Sequence, residues 1–319
     1  MTVSENHKGG TVSDRRSIKN SGITLLLASI LTIGFTTIGF SGAVSAATDD
    51  LIEKGQYMVW AGGCIGCHTD VKNKKPELAG GLALKTPFGI FYSPNITPDK
   101  ETGIGNWSDE DFLNAFRQGL NPAGEHYYPV FPYPTYTKMR DADILAIKAY
   151  LFSLKPVRSV VKDHDVQPPF GMRFLQGFWK AMNFTPGEFQ DTTGKSAEWN
   201  RGAYLVEAVG HCGECHTPRS ELGALDHSMA LAGTVKGPDG GLVPNITPHP
   251  KTGIGEWTED DIIELLKNGM KPDYDDVQGG MEEAVIFGLK YLKDADLKAM
   301  AVYLLSLDPI DNLIEKPKK

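Results

Sequence analysis

CIGCH at residues 64–68 and CGECH at residues 212–216 are where this sequence concentrates reactive side chains. They hold all four cysteines, and each C-x-x-C pair is followed at once by a histidine. Four chemistries use such residues. A disulfide framework belongs to short, cysteine-dense secreted chains, and four cysteines in 319 residues make a poor one. A thioredoxin-type dithiol has no use for the histidine. A zinc site could take one pair from each stretch, again leaving the histidines idle. Covalent haem c attachment uses every residue. Two thiols one helical turn apart add to the two vinyl groups on one haem edge, and the next imidazole becomes the proximal iron ligand. The spacing predicts two covalently bound haem c groups, one on Cys64, Cys67 and His68, the other on Cys212, Cys215 and His216.

The elements that must position these residues recur. KGQYMVWAGGCIGCHT is echoed by RGAYLVEAVGHCGECHT, SPNITPDKETGIGNWSDEDF by VPNITPHPKTGIGEWTEDDI, and RDADILAIKAYLFSL by KDADLKAMAVYLLSL. The offset is 148 residues at the cysteines, 150 at Trp107 and Trp257, and 153 at Asp141 and Asp294. A repeat of this size means two copies of one unit, expected over 50–156 and 197–310. Each copy reads as mainly α. A first segment carrying Gly55 and Tyr57, or Gly202 and Tyr204, runs into the cysteine motif. A middle helix starts after Ser108 or Thr258, each with Asp three residues on, close to a capping box, and stops at Gly119 or Gly269. A last helix begins at Asp141 or Asp294. Ile144, Ile147, Leu151 and Leu154, and likewise Leu297, Met300, Leu304 and Leu307, keep helical spacing along it. The first and last helices are expected to cross with Gly and Tyr at the contact. The NIT sequons at 95–97 and 245–247 recur at the same place in each copy, which predicts a structural turn rather than a glycan. Trp107 and Trp257 are expected beside each haem, with the indole N–H toward a propionate.

Between the copies, residues 157–196 are too rich in proline for a globular unit and too aromatic for a free linker, so a packed connection is expected. At the N-terminus, Arg15, Arg16 and Lys19 precede a long uncharged stretch that ends in Val44-Ser45-Ala46. This reads as an export signal over 1–46, or an uncleaved membrane anchor, and places the body in the periplasm. The chain carries a formal charge of −8, and residues 1–46 contribute +2, so the body stands at −10. That argues against a nucleic-acid partner, and the acidic excess serves either to steer a basic protein partner or simply to keep the protein in solution. No nucleophile–base constellation and no phosphate loop is present.

PNITPDKETGIGNWSDEDF, YYPVFPYPTYTKMRDAD and WNRGAYLVEAVGHCGECHTPR resemble the cytochrome c subunits of periplasmic, membrane-associated dehydrogenases, of the quinoprotein alcohol dehydrogenase and molybdenum hydroxylase types. With the connection, the resemblance covers nearly all of residues 50–310. It implies two tandem class I cytochrome c domains that pass electrons from a dehydrogenase to a terminal oxidase or a soluble cytochrome. It departs in size, since such subunits usually carry three haem domains and a C-terminal membrane tail. An enzyme with two haems, such as a cytochrome c peroxidase or a thiosulfate dehydrogenase, is the alternative. The two readings part at the sixth iron ligand, since a carrier fills it, usually with Met. In the second half Met281, expected in a loop, is the candidate, with Met270 and Met300 as rivals. In the first half the family often has PAMPY where this chain has PVFPY, and Phe131 cannot bind iron. Met139 and His126 both remain candidates there. Counting back from the last helix sets Met139 opposite Leu292 and His126 two residues from the slot of Met281. The aromatic run from Tyr127 to Tyr136 is expected to wall the first haem from water.

Overall fold

A computed structural model of the chain describes residues 41–238 and 240–315. The expected export segment lies outside these residues except for its last stretch, from Ser41, where the first helix begins. No helix among the described residues is long and apolar enough to cross a membrane. The first half runs α1 (Ser41–Ala61), α2 (Cys64–His68), β1 (Ala83–Thr86), β2 (Gly89–Tyr92), α3 (Asp109–Gln118), α4 (Tyr133–Tyr136) and α5 (Asp141–Ser153). The connection contributes β3 (Asp165–Val166) and α6 (Leu175–Asn183). The second half runs α7 (Ala197–Tyr204), continued by a π-helical turn at Leu205–Val209, then α8 (Gly213–His216), α9 (Glu259–Asn268), α10 (Gly280–Phe287) and α11 (Asp294–Leu305).

Local sequence explains the helix ends. Ser108 and Thr258 each accept the backbone N–H of Asp111 or Asp261, whose carboxylate accepts the cap residue's own N–H, a full capping box in both halves. Gly119 (φ 56°) and Gly269 (φ 79°) end α3 and α9 in the left-handed conformation. The last helices begin at Asp141 and Asp294, and Ile144, Ile147 and Leu151, with Leu297, Met300 and Leu304, face the core. Leu154 and Leu307 fall just beyond the helical residues.

Each half closes by crossing its first helix over its last. A Cβ on Gly55 would stand 1.9 Å from the carbonyl oxygen of Ala146 on α5, and one on Gly202 would stand 1.9 Å from that of Ala299 on α11. Only glycine admits backbone this close. The tyrosines depart from expectation. At the crossing glycines stand Tyr150 and Tyr303 of the last helices, while the hydroxyls of Tyr57 and Tyr204 reach into the other half, to Asp296 and Asp143.

Beside the mainly helical elements stands one small sheet that sequence reading did not place. Its order is β1-β2-β3, antiparallel throughout, and β3 comes from the connection. Further contacts tie residues 157–196 to the first half. Tyr128 donates to Gly171 O at 2.8 Å, Arg173 to His126 O at 2.9 Å, and Gly187 N–H to Thr137 Oγ1 at 3.1 Å. Lys180, buried, donates to the carbonyls of Gln118 and Gly119 at the end of α3. The NIT segments are turns: the buried amides of Asn95 and Asn245 donate to Val157 O and Ile310 O, and their oxygens accept from Thr97 and Thr247.

Candidate haem sites

Each cysteine motif sits on a short helix straight after the first long one. Gly63, at φ 63°, makes the turn into α2. In the second half the same turn is made by His211 at φ 42°, an uncommon conformation for a side chain with a Cβ. One helical turn then sets Cys64 and Cys67, or Cys212 and Cys215, on one edge. Cys67 and Cys215 are exposed while Cys64 and Cys212 are partly covered. No disulfide joins any of them. Among the described residues no three His, Cys, Asp or Glu side chains gather as metal ligands, so the four cysteines do not converge on one zinc site.

The histidines carry the decisive geometry. His68 Nδ1 lies 2.8 Å from Pro94 O, and His216 Nδ1 lies 2.8 Å from Pro244 O. A carbonyl can only accept, so Nδ1 carries the proton and Nε2 keeps its lone pair. This is the arrangement a ligating imidazole needs, with its other nitrogen tied to a backbone oxygen that fixes tautomer and ring plane. Burial, partly opposed by these carbonyl bonds, holds both imidazoles below the ordinary histidine pKa and hence neutral. Burial also pushes the Cys64 and Cys212 thiols up to about 12, with Cys67 and Cys215 respectively adding to it. Such thiols are protonated at neutral pH, unlike a redox dithiol, whose attacking sulfur is a thiolate. The residues present therefore fit a haem c: two sulfurs on one edge and one nitrogen with a free lone pair.

The candidate sixth ligands separate. Tyr127 N–H donates to Gly119 O and Val277 N–H to Gly269 O, each at 2.8 Å, so the halves stay in register at an offset of 150 here. Met281 therefore corresponds to Phe131, and His126 to Asp276. Met281 lies in the first turn of α10 rather than in a loop, half-buried against the core. Phe131 packs against Phe116 and Tyr136, with ring centroids 5.4 and 5.7 Å away. Tyr136 in turn donates to Gly62 O at 2.7 Å, two residues before Cys64. Met139 is fully buried just before α5, at the position Leu292 holds before α11. His126 is half-buried beside the connection, its Nδ1 3.0 Å from Lys180 Nζ. Met270 is exposed and Met300 lies in the core. Trp107 and Trp257 are half-buried, and Trp107 meets Phe112 edge-on at 6.3 Å.

The model of the cytochrome c family matches residues 52–155 and matches again at 200–308. The chain belongs to the cytochrome c family. Its relatives include the gluconate 2-dehydrogenase cytochrome c subunit of Pantoea cypripedii, 40% identical over 296 residues, which are 90% of this chain and 66% of that protein. The cytochrome c subunit of the quinone-dependent alcohol dehydrogenase of Gluconobacter oxydans is 39% identical over 87% of this chain and 59% of its own length. A diheme cytochrome c-type protein of Cereibacter sphaeroides is 40% identical over 81% of this chain and 86% of its own. The cytochrome thus spans about three fifths of the first two relatives and most of the third. All three are named as cytochromes or as cytochrome c subunits of dehydrogenases.

Sequence reasoning missed several residues of the cytochrome's site region. Pro94 and Pro244 precede the recurring NIT, and that recurrence was the available signal. His211, Glu214 and Arg219 gave none. Glu214, inside the second motif, is buried and pairs with Thr135 of α4 and with Arg219. On the other side Phe287 of α10 packs on Gly66 inside the first motif. Each haem motif of the cytochrome is thus backed by a helix of the opposite half.

Proposed function

We propose that the chain is a dihaem cytochrome c of the periplasm that carries electrons from a dehydrogenase to a terminal oxidase or a soluble cytochrome. The single observation that carries this reading is the duplicated histidine geometry, in which a proline carbonyl fixes Nδ1 and frees Nε2 in both halves. Two cytochrome c domains at 50–156 and 197–310, joined by 157–196, hold the sites. Haem c supplies one-electron chemistry, cycling between ferric and ferrous iron. The protein's residues do the rest. Cys64 with Cys67, and Cys212 with Cys215, anchor the two groups; His68 and His216 bind the irons; the aromatic cluster around Phe116, Phe131 and Tyr136 keeps water from the first site. Met281 is the sixth ligand of the second half. In the first half Met139 is preferred over His126, because His126 is engaged with Lys180 beside the connection. Each half then has one methionine across two corresponding slots: Phe131 and Met139 in the first, Met281 and Leu292 in the second. Relatives named as subunits of gluconate and alcohol dehydrogenases support a dehydrogenase as donor.

Alkaline pyridine spectra of the exported protein test the reading, with two haem c groups per chain expected. M281L and M139L should each remove the methionine–iron charge-transfer band of one haem and leave the other low-spin. H126A should leave both bands unchanged. One haem per chain, or loss of a band in H126A, would overturn the corresponding assignment.

A further inference from the structure

The two halves meet through a reciprocal exchange of side chains that flanks the haem anchors. Tyr57 on α1 donates its hydroxyl to Asp296 Oδ2 on α11 at 2.6 Å, and Tyr204 on α7 donates to Asp143 Oδ2 on α5 at 2.5 Å. Each phenol oxygen also accepts a backbone N–H at the start of the opposing helix, from Lys293 at 3.1 Å and from Arg140 at 3.0 Å. Each aspartate is held from its own half by a cation, Asp143 by Lys54 at 2.5 Å and Asp296 by Arg201 at 2.7 Å. A further cation lies over each ring, Arg140 at 4.5 Å from the centroid of Tyr204 and Lys293 at 5.4 Å from that of Tyr57. Every member of one set has its repeat counterpart in the other, so the halves are related by a local twofold.

Between these two locks the chain segments leading into the cysteine motifs touch. A Cβ on Gly62 would lie 3.7 Å from Val209 O, and one on Gly210 would lie 3.8 Å from Ala61 O. His211 Nε2 lies 3.3 Å from Gly62 O. Cys64 and Cys212 follow Gly62 and Gly210 by two residues, so both haem anchors start from this contact. Electron transfer between fixed sites depends steeply on their separation, and positions a few residues from the contact inherit any slack in it.

We infer that the Tyr57–Asp296 and Tyr204–Asp143 pairs are positioning contacts that hold the two haem anchors at a fixed separation and so set the rate of electron transfer between them. The inference rests on the two-haem reading above. Removing a phenol oxygen leaves a carboxylate and a backbone N–H each short of one partner at the interface. The contact then loosens without any change in the groups that bind either iron.

The test uses holoprotein shown by its pyridine spectrum to carry two haems per chain. Half-reduced protein is generated by a light pulse, and relaxation between the haems is followed in Y57F, Y204F and the double variant. Midpoint potentials and low-spin spectra are recorded alongside. The double variant should relax about tenfold more slowly, a smaller loss than the ~100-fold that a 1 Å misplacement of reacting groups can cost. Each single variant should fall between, with potentials and spectra unchanged. D143N, which gives up the ion pair with Lys54 but keeps an amide oxygen to accept from Tyr204, should lose less rate than Y204F. An unchanged rate in the double variant, or in both single variants should the double not fold, overturns the inference. So does a slower rate accompanied by shifted potentials, which would mean disturbed haem sites rather than altered spacing. Fewer than two haems in the unsubstituted protein would instead overturn the two-haem reading, and this inference with it.

Discussion

Lys180 shows how one residue in the connection becomes sensitive to pH. Its ammonium is buried at the C-terminal end of α3, where it donates to Gln118 O and Gly119 O and meets His126 Nδ1. A cation there complements the helix dipole, yet burial pulls its pKa down to about 8 from the ordinary 10.5. Between those values the unfolded chain binds more protons at this residue than the folded one. Its contribution to stability therefore rises as pH climbs from about 8 to 10.5 and is flat below. Chemical denaturation of the native protein and K180M from pH 7 to 10.5 should show the native protein gaining stability relative to the variant across that window. A constant difference would place the folded pKa near its ordinary value. His126 and Met139 illustrate the limits of counting at this scale. Both stood within reach of the first iron by sequence offset. The difference between them, a bond to Lys180 against burial before α5, depends on a partner 54 residues away.

The paired elements show what repetition makes legible. The capping boxes at Ser108 and Thr258, the glycine stops at Gly119 and Gly269, and the apolar spacing of the last helices from Asp141 and Asp294 are local features, each carried by residues a few positions apart. They could be read directly for that reason. The glycine at each helix crossing was legible as a type but not as a distance. Both G55A and G202A would drive a methyl group into a backbone carbonyl that cannot move without displacing α5 or α11. Each should cost about 3 kcal/mol, and thermal unfolding of the holoprotein should record it as a clear fall in midpoint. G124A, where nothing approaches the new carbon, should lose much less, though its φ of 77° still favours glycine. The small sheet and the helical setting of Met281 escaped reading. β3 is two residues long and exists only because β2 offers it an edge, and α10 opens after Gly279, a residue with no capping side chain.

For the whole molecule, charge is the property that acts at a distance. The body carries about −10, an excess that would attract a basic electron partner at long range. Reduction of a basic soluble cytochrome should slow by about tenfold or more as salt rises from low to high ionic strength, as the Debye length shrinks. Stopped-flow rates against ionic strength measure this, and a flat or rising dependence would remove electrostatic steering from the account. The interface between the halves buries charge of both signs. Burial alone would raise the pKa of Asp296, but the bonds from Arg201 and Tyr57 bring it below the usual carboxylate range. Burial, reinforced by Asp296, keeps Tyr57 protonated far above neutral pH, so the contact holds as a hydrogen bond to a carboxylate.

By itself the sequence determined the unit and its copy number. The spacing within C-x-x-C-H, the helix caps, the turn around NIT and the stripes on the last helices are short-range patterns, and a second copy at an offset near 150 residues repeats each of them. The tertiary structure alone decided how the two copies meet. Tyr57 and Tyr204 read as packing residues of their own halves, yet each bonds to an aspartate of the other, 239 and 61 residues away in sequence. Nothing local distinguishes a tyrosine that closes its own helix crossing from one that crosses an interface. That choice follows from which surfaces remain after each half has folded, and the halves bring their cysteine motifs together because those surfaces flank them.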